Sequence, residues 1–234
     1  MYGEMDPTPN THPAFTNGIH PYKQADRNAV REIAFETSQR ASDGSLLLTD
    51  RQLLADILTT YYTDYEPWSC WVAVKDGMVI GYLSGCTNTS RYNRLIALRV
   101  LPVTVISAVA RGTLWRMETW RMLNALLQTG FVRLRKDKVD LGPYPAHLHI
   151  NLSSAARGGG LGRKLVARFL EQLSELQVAG VHASVRADNE AALGFFMHIG
   201  FQPIGQLGLV LPDPDNYHYT ENMIMARPID SPDR

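Results

Sequence analysis

The sequence predicts an α/β (α+β) fold, a mixed and mostly antiparallel sheet flanked by helices. Apolar and polar residues alternate over residues 146–152, which is typical of a strand with one buried face. A glycine run follows, and apolar residues then recur at three- and four-residue steps over 161–176, which indicates an amphipathic helix of about four turns. Asp76-Gly77 stands between two apolar runs and predicts a hairpin.

The first part of the chain supplies helices and then strands. Residues 1–17, rich in Pro, Thr and Asn, are expected to form a flexible arm, and residues 18–234 a single domain. The predicted elements are a strand Ile19–Tyr22, helices Asp26–Arg40 and Asp50–Tyr61, and strands Ser69–Lys75 and Met78–Cys86. The hairpin makes the last two strands antiparallel neighbours.

Residues 87–140 are more than a connection between the third and fourth strands requires. Apolar spacing predicts two helices here, with a break near Arg111-Gly112, and Pro102 suits the first turn of the first helix. Three roles are open for this helical insertion: a lid over an acceptor site, a dimerisation surface, or an ordinary helical pair that covers a sheet edge. Its arginines and lysines are interpreted as solvated helix faces, because Trp115 and Trp120 are not interleaved with them as a stacking platform.

The last third of the chain alternates strands and helices. After the glycine run and its helix, Val181–Val185 predicts another strand, and Asp188 or Asn189 would cap a short helix. Gly200 suits the end of that helix, and Phe201 resumes an extended segment.

The glycine run Arg157-Gly158-Gly159-Gly160-Leu161-Gly162 predicts a site for a phosphate-bearing cofactor. Glycines leave backbone N–H groups open to an anion, and the helix N-terminus adds unpaired donors and a favourable dipole. The run matches neither the G-x-x-x-x-G-K-[ST] loop nor a dinucleotide-binding loop with its downstream acid. The simpler alternative is a flexible turn.

At these residues the chain resembles the GNAT superfamily of acyl-CoA-dependent N-acyltransferases. The family pattern [QR]-x-x-G-x-[GA] is matched by Arg157, Gly160 and Gly162. A second pattern, N-x-x-A-x-x-F-[YF]-x-x-x-G-F, is matched by Asn189, Ala192, Phe195, Phe196, Gly200 and Phe201. The close resemblance covers roughly residues 146 to 210, and a weaker one reaches back to about residue 18. It implies a sheet of six to seven strands, with the helical insertion between strands 3 and 4.

A second resemblance is to the acetyltransferase-like domain of O-GlcNAc hydrolases and its free-standing bacterial relatives. It rests on Gly81-Tyr82-Leu83-Ser84-Gly85-Cys86, which leads into an Arg/Leu-rich stretch ending at Leu101-Pro102. Some animal members of that group have lost the glycine loop and are suspected pseudoenzymes. This chain keeps the loop, so the resemblance implies that it can hold the cofactor.

The resemblance implies acetyl-CoA as cofactor and assigns parts of the chain to it. Backbone groups of 150–152 should bind the pantetheine arm like an added strand, and Gly158 to Arg163 should bind the pyrophosphate. The predicted cofactor-binding residues are Ile150, Asn151, Leu152, Arg157, Gly158, Gly159, Gly160, Leu161, Gly162, Arg163, Asn189 and Phe196.

The general acid is where the sequence departs from the family. Many relatives carry Tyr at the position of Phe196, and a phenyl ring cannot donate a proton. Tyr217 or Tyr219, from the segment before the last strand, is the predicted substitute, with packing as the alternative role. Coenzyme A thiolate is a tolerable leaving group, so catalysis need not depend on an acid.

The general base is also not in its usual place. Relatives often place Glu or His at the positions held by Ala146 and Leu148, whereas alternation puts His147, His149 and Asn151 on the other face of the strand unless a bulge intervenes. The hydrolase-associated group has Asp in place of Asn151. His149 is the first choice as base because its intrinsic pKa is near neutral. A water chain, His218, or a purely structural His149 are the alternatives.

The leading hypothesis is an acetyl-CoA-dependent N-acetyltransferase acting on a small amine or a protein amino group by direct attack in a ternary complex. The alternative is a catalytically weak or inactive acyl-CoA sensor or interaction domain, which Phe196, Asn151 and the insertion favour. The expected partners are acyl-CoA and an amine acceptor, with a homodimer as an option.

Composition points away from other partners. The formal charge is zero, with 23 basic and 23 acidic residues, so neither nucleic acid nor a membrane is expected as a partner. Cys70 and Cys86 are expected to be buried reduced thiols, and a cytoplasmic location is expected because no apolar leader or 18-residue apolar run is seen. No metal is expected, because His147 and His149 lack partners at ligand spacing.

Overall fold

The described part of the chain forms a seven-stranded sheet with flanking helices. The computed structural model describes residues 17–38, 51–110, 112, 117, 120–121, 124–125, 127–129, 139–156, 158–212 and 217–229. The strands are β1 Gly18–Pro21, β2 Cys70–Lys75, β3 Met78–Cys86, β4 Ala146–Leu152, β5 Gly180–Arg186, β6 Gln202–Pro212 and β7 Tyr217–Pro228. The helices are α1 Arg27–Ser38, α2 Arg51–Thr60, α3 Thr89–Leu95, α4 Leu101–Ala110, α5 Leu161–Glu175 and α6 Glu190–His198.

The strands form one sheet in the order β1-β2-β3-β4-β5-β7-β6. Every neighbouring pair is antiparallel except β4 and β5, which are parallel. The prediction of a mixed, mostly antiparallel sheet flanked by helices is therefore confirmed. The β2–β3 hairpin is also as predicted: Asp76 and Gly77 both have positive φ, 51° and 73°, which is the conformation of the tight turns that suit hairpins.

Helices cover both faces of the sheet. On one face α5 and α6 pack over a core that includes Leu83, Leu148 and Phe169, all of which have 1% or less of their surface exposed. On the other face α1 and the turn after α2 cover a second core, which contains Val72 and the two cysteines. Both cysteines are buried and unpaired.

Strand β4 separates these two cores. It pairs with β3 in an unbroken register from His147 to Leu152, so the predicted alternation holds without a bulge. Ala146 and Leu148 belong to the α5 core. His147 and His149 contact the ring of Tyr62 on the opposite face.

The insertion between β3 and β4 contains more helix than predicted. Helix α3 and a π-helical turn, Ile96–Val100, precede α4 without interruption. Asn88 caps α3 by accepting a hydrogen bond from the backbone N–H of Arg91 at 2.9 Å. Helix α3 was not predicted from the sequence, because none of its seven side chains is fully buried and its residues form no clear apolar stripe.

The predicted break in the insertion is confirmed. Helix α4 ends at Ala110, and Gly112 follows with φ of 69°. The described residues between 117 and 129 are helical. Helix α4 turns Thr104 inward, and its exposed residues include five large aliphatic side chains: Leu101, Val103, Val105, Ile106 and Val109. The predicted arm lies outside the described residues apart from residue 17. The single domain and the role of the insertion stay predictions.

Candidate active site

Strands β4 and β5 separate after a short contact. They pair only at Ala146 with Val181 and at His147 with His182. Beyond that point β4 continues to Leu152, paired with β3 on its other side. The edge of β4 that faces β5 therefore has no strand partner over 148–152, and it presents unpaired backbone groups that an extended chain can join.

A cavity of about 830 Å³ fills the space between the two strands. We call it the β4–β5 gap, the space bounded by Leu148–Leu152 of β4 and Ala183–Arg186 of β5. The start of α5 and one side of α6 complete its walls. This volume lies within the usual range for small-molecule and cofactor sites.

The glycine loop lies at one end of the gap. Gly158 and Gly160 line the gap and have φ of 80° and 71°, a left-handed conformation that favours glycine. A Cβ atom built at Gly158, Gly159 or Gly160 meets no atom of the described residues within 4 Å, so these residues leave the space over the loop open. Arg157 lies outside the described residues.

The loop leads directly into the first turn of α5. The N–H of Lys164 donates to the carbonyl of Gly160 at 3.1 Å, so the three preceding N–H groups have no partner within the helix. The first turn carries no acidic residue, and Arg163 and Lys164 are exposed. Free amides, a helix N-terminus and two cations together favour an anion at this end of the gap.

Helix α6 forms one wall of the gap. Asn189 caps it, because its Oδ1 accepts a hydrogen bond from the N–H of Ala192 at 3.1 Å. Phe196 is buried, and its ring packs edge-on against those of Phe195 and Phe201. The wall of the gap is therefore apolar at position 196. Gly200 ends the helix with φ of 88°, as predicted.

Asn151 is held on the face of β4 opposite α5. Its side-chain amide donates to the hydroxyl of Tyr82 at 2.8 Å. Burial raises the pKa of Tyr82, so this hydroxyl stays protonated and can donate a hydrogen bond of its own. Ile150 and Leu152 pack against the α5 core instead, which leaves the backbone of 150–152 as the part open to the gap.

His149 lines the gap on the same face as Asn151. Its ring lies edge-on to the rings of Tyr62 and His147, at centroid distances of 5.7 and 5.8 Å. Partial burial against these rings lowers the pKa of His149 to about 4, with a smaller contribution from His182. The residue keeps an exposed surface, so a neutral imidazole is presented to the gap.

His147 is buried behind His149 and both of its ring nitrogens have partners. Nε2 lies 2.8 Å from the Tyr62 hydroxyl, and Nδ1 lies 2.8 Å from the Thr89 hydroxyl. The Thr89 hydroxyl donates its proton to the carbonyl of Pro145 at 2.8 Å. It must therefore accept from His147, which assigns the proton of the ring to Nδ1. Burial lowers the pKa of His147 well below its usual value.

His182 completes a cluster of three imidazoles. It stands opposite His147 where β4 and β5 pair, with ring centroids 5.7 Å apart. Its Nδ1–H donates to the carbonyl of Tyr144 at 2.9 Å, and burial lowers its pKa. Sequence reasoning missed His182, Tyr62 and Thr89. Period-two alternation against Val181 and Val185 places His182 on the His147 face, but nothing local pointed to the other two.

The predicted tyrosines lie elsewhere. Tyr217 and Tyr219 belong to β7 itself and not to a segment before it, because β7 extends further than predicted. The Tyr217 hydroxyl accepts from the side chain of Asn124 at 2.9 Å, and the Tyr219 hydroxyl donates to Glu221 at 3.1 Å. Neither residue is among those that line the gap within the described part of the chain.

In the part of the chain that the structure describes, no cluster of three or more His, Cys, Asp or Glu side chains could hold a metal ion. Within the same ranges, no helix combines the length and apolar character needed to cross a bilayer.

Known proteins with the same architecture carry out acyl transfer. Residues 128–201 match the model of the acetyltransferase (GNAT) family. The chain is 26% identical in sequence to SsHAT, whose crystal structure matches it with a TM-score of 0.69. The match covers 92% of this chain and all of SsHAT. An N-acetyltransferase from Staphylococcus aureus Mu50 is 15% identical, with a TM-score of 0.56 over 92% of this chain and all of that one.

A third similar structure contains a cofactor. It is a GNAT superfamily phosphinothricin acetyltransferase from Sinorhizobium meliloti in complex with AcCoA. It is 15% identical, with a TM-score of 0.53 over 92% of this chain and 89% of that one. The chain therefore has the fold of the GNAT acetyltransferases, and the part of it that builds the glycine loop matches the model of that family.

Proposed function

We propose that this protein is an acetyl-CoA-dependent N-acetyltransferase. The observation that carries the proposal is the β4–β5 gap, which has an anion-binding loop at one end and a neutral imidazole farther along β4. The family match and the fold support an acyltransferase in general. The acceptor amine and the roles of individual residues are the proposed part.

The walls of the gap fit the cofactor. The open space over Gly158–Gly160 and the unpaired amides at the start of α5 suit a diphosphate. The free edge of β4 suits an extended amide-bearing arm, which it can bind as an added strand. Asn189 and Phe196 would line the other side, and Arg157 stays a predicted contributor.

When bound, acetyl-CoA supplies a thioester whose carbonyl carbon is attacked by the acceptor amine, and its sulfur leaves as a thiolate. Backbone N–H groups on the free edge of β4 would orient and polarise the carbonyl. His149 would accept the proton that the amine nitrogen loses. A base of low pKa is protonated only weakly, so it would return this proton readily to water.

The leaving group would depart without help from position 196. Phe196 offers no proton there, and the tyrosines at 217 and 219 have other partners. Their role as the acid stays a prediction. His218 and a water chain stay alternatives to His149 as the base.

A second candidate is an acyl-CoA sensor that binds without turnover. Two observations favour it: the gap has a phenyl ring in place of the tyrosine hydroxyl, and the Asn151 side chain cannot act as a base. The resemblance to the domain of O-GlcNAc hydrolases, some of which are suspected pseudoenzymes, points the same way and stays a prediction.

Release of free thiol separates the two candidates. Acetyl-CoA would be incubated with the protein and a panel of small amines and peptides, and the release compared with the rate without acceptor. An N-acetyltransferase gives release above that background with at least one amine, and an acetylated product of the expected mass. Silence across the panel, with cofactor binding confirmed by calorimetry, would instead favour the sensor.

A further inference from the structure

The turn that follows α2 places two consecutive tyrosines in the core. Tyr61–Tyr65 forms a π-helical turn, and Tyr61 and Tyr62 have only 1% and 2% of their surface exposed. Such widened turns within helices occur frequently at functional sites. Both hydroxyls are hydrogen-bonded, but to different parts of the protein.

The hydroxyl of Tyr61 is directed away from the β4–β5 gap. It donates to Oε2 of the buried Glu66 at 2.7 Å, and Oε1 of that carboxylate accepts from the backbone N–H of Thr87 at 2.7 Å. These contacts connect α2 to the end of β3. They involve no residue that lines the gap.

The hydroxyl of Tyr62 is directed at the strand that lines the gap. It meets Nε2 of His147, whose Nδ1–H is committed to Thr89. With its other nitrogen protonated, His147 can only accept at Nε2, so Tyr62 donates. The chain of donors thus runs from Tyr62 through His147 and Thr89 to the carbonyl of Pro145.

Both ends of the Tyr62–His147 hydrogen bond touch His149. The Tyr62 ring meets the His149 ring at 78°, and the His147 ring meets it at 72°. Among the described residues, the imidazole of His149 has these ring contacts and no hydrogen bond. Its orientation in the gap therefore depends on the two rings that pack against it.

We propose that Tyr62 is a positioning residue for the acyl transfer: its hydrogen bond to Nε2 holds the His147 ring, and the two rings together hold His149 toward the gap. This inference rests on the proposed function of His149. Only one of His147 and His149 can take the proton of the amine, because two adjacent imidazolium rings would repel one another. With both nitrogens of His147 engaged, His149 is the ring left free to take a proton.

The test compares Tyr62→Phe with Tyr61→Phe. Both variants remove one hydroxyl from adjacent buried positions on the same turn, and Tyr61→Phe should cost at least as much stability, because it takes a donor from the buried Glu66 side chain. We expect Tyr62→Phe to lower kcat about tenfold, with the KM for acetyl-CoA unchanged, because the base is displaced. Tyr61→Phe should keep the kcat of the unaltered protein. Equal losses of kcat in the two variants would overturn the proposal.

A second readout does not depend on turnover. Nitrogen-15 NMR of the imidazoles should show His147 as the Nδ1–H tautomer in the unaltered protein. Tyr62→Phe should shift the Nε2 signal of His147, which loses its donor, and also the His149 signals, whereas Tyr61→Phe should leave both unchanged. Unmoved His149 signals in Tyr62→Phe would overturn the positioning role. An unaltered protein that acetylates no amine, yet gives the expected NMR result, would refute the proposed function and leave the contact network standing.

Discussion

Glycines in two neighbouring regions of the molecule have opposite surroundings. We call these regions the closed half, around Gly85, and the open half, beside the β4–β5 gap. In the closed half, next to the residues at which β3, β4 and β5 are all paired, a Cβ atom at Gly85 would lie 2.3 Å from the Phe169 ring and 2.4 Å from the carbonyl oxygen of Ser69. In the open half, beside the β4–β5 gap, Cβ atoms at Gly158, Gly159 and Gly160 would meet nothing within 4 Å.

The difference separates glycines that packing requires from glycines that it does not. Gly85 has to be a glycine because the Phe169 ring of α5 occupies the space that a side chain would need. No neighbouring protein atom explains the loop glycines, although two of them also need positive φ. We infer that their missing side chains leave room for a ligand, so substitutions in the two halves should fail in different ways.

The largest effect is expected from Gly160→Glu in the open half. A carboxylate there would oppose the cofactor diphosphate by size and charge, and we expect acetyl-CoA affinity to fall about 1000-fold in calorimetry. Gly160→Ala is the control, since it carries the same backbone strain without the charge. A Gly160→Glu protein that is folded and binds as well as the unaltered one would show that the diphosphate lies elsewhere.

A different failure is expected from Gly85→Ala in the closed half. The added methyl group must displace both a ring and a backbone oxygen, which should lower the free energy of unfolding by about 3 kcal/mol in urea titrations. Gly194→Ala provides the control, because its Cβ meets nothing within 4 Å on α6. That variant should be neutral or slightly more stable. Similar stability of Gly85→Ala and Gly194→Ala would remove the contrast between the two halves.

His149→Gln tests the polar side of the gap. If His149 is the base, kcat should fall about 100-fold while the Kd for acetyl-CoA stays the same. Because the pKa of His149 is lowered to about 4, this base is already neutral at mildly acidic pH. The activity of the unaltered protein should therefore fall only as pH drops toward about 4. His147, His182 and Tyr62 face the same ring, so His182→Gln serves as a control for indirect effects.

Phe196→Tyr should have the smallest effect. The new hydroxyl would enter a wall made by Phe195 and Phe201, and it would restore the group that many relatives carry. Since the thiolate can leave unaided, we expect kcat to rise no more than about threefold, with no change in acetyl-CoA affinity. A rise of several orders of magnitude would mean that loss of the acid had made the protein nearly inactive, as in a sensor.

Local patterns in the sequence were enough to predict the glycine loop and the elements that follow it. The glycine loop, the helix after it and the cap at Asn189 are all encoded within a few consecutive residues. The hairpin at Asp76-Gly77 and the limits of β3 were predicted for the same reason.

Contacts between distant residues could not be predicted in this way. Tyr62 and His147 are 85 positions apart, and Thr89 and His147 are 58 apart. Nothing local to Tyr62 distinguishes it from Tyr61, since only the packing of the π-helical turn on β4 decides which hydroxyl reaches the histidine. The premature separation of β4 and β5 is likewise a property of the sheet and not of either strand.

Backbone hydrogen exchange with and without acetyl-CoA would test most directly whether the cofactor lies along the free edge of β4. We expect slower exchange for amides of 148–152 and for those at the start of α5, while β1, at the far edge of the sheet, stays unchanged. Saturating acetyl-CoA that leaves the amides of 148–152 exchanging at their original rates would contradict this placement.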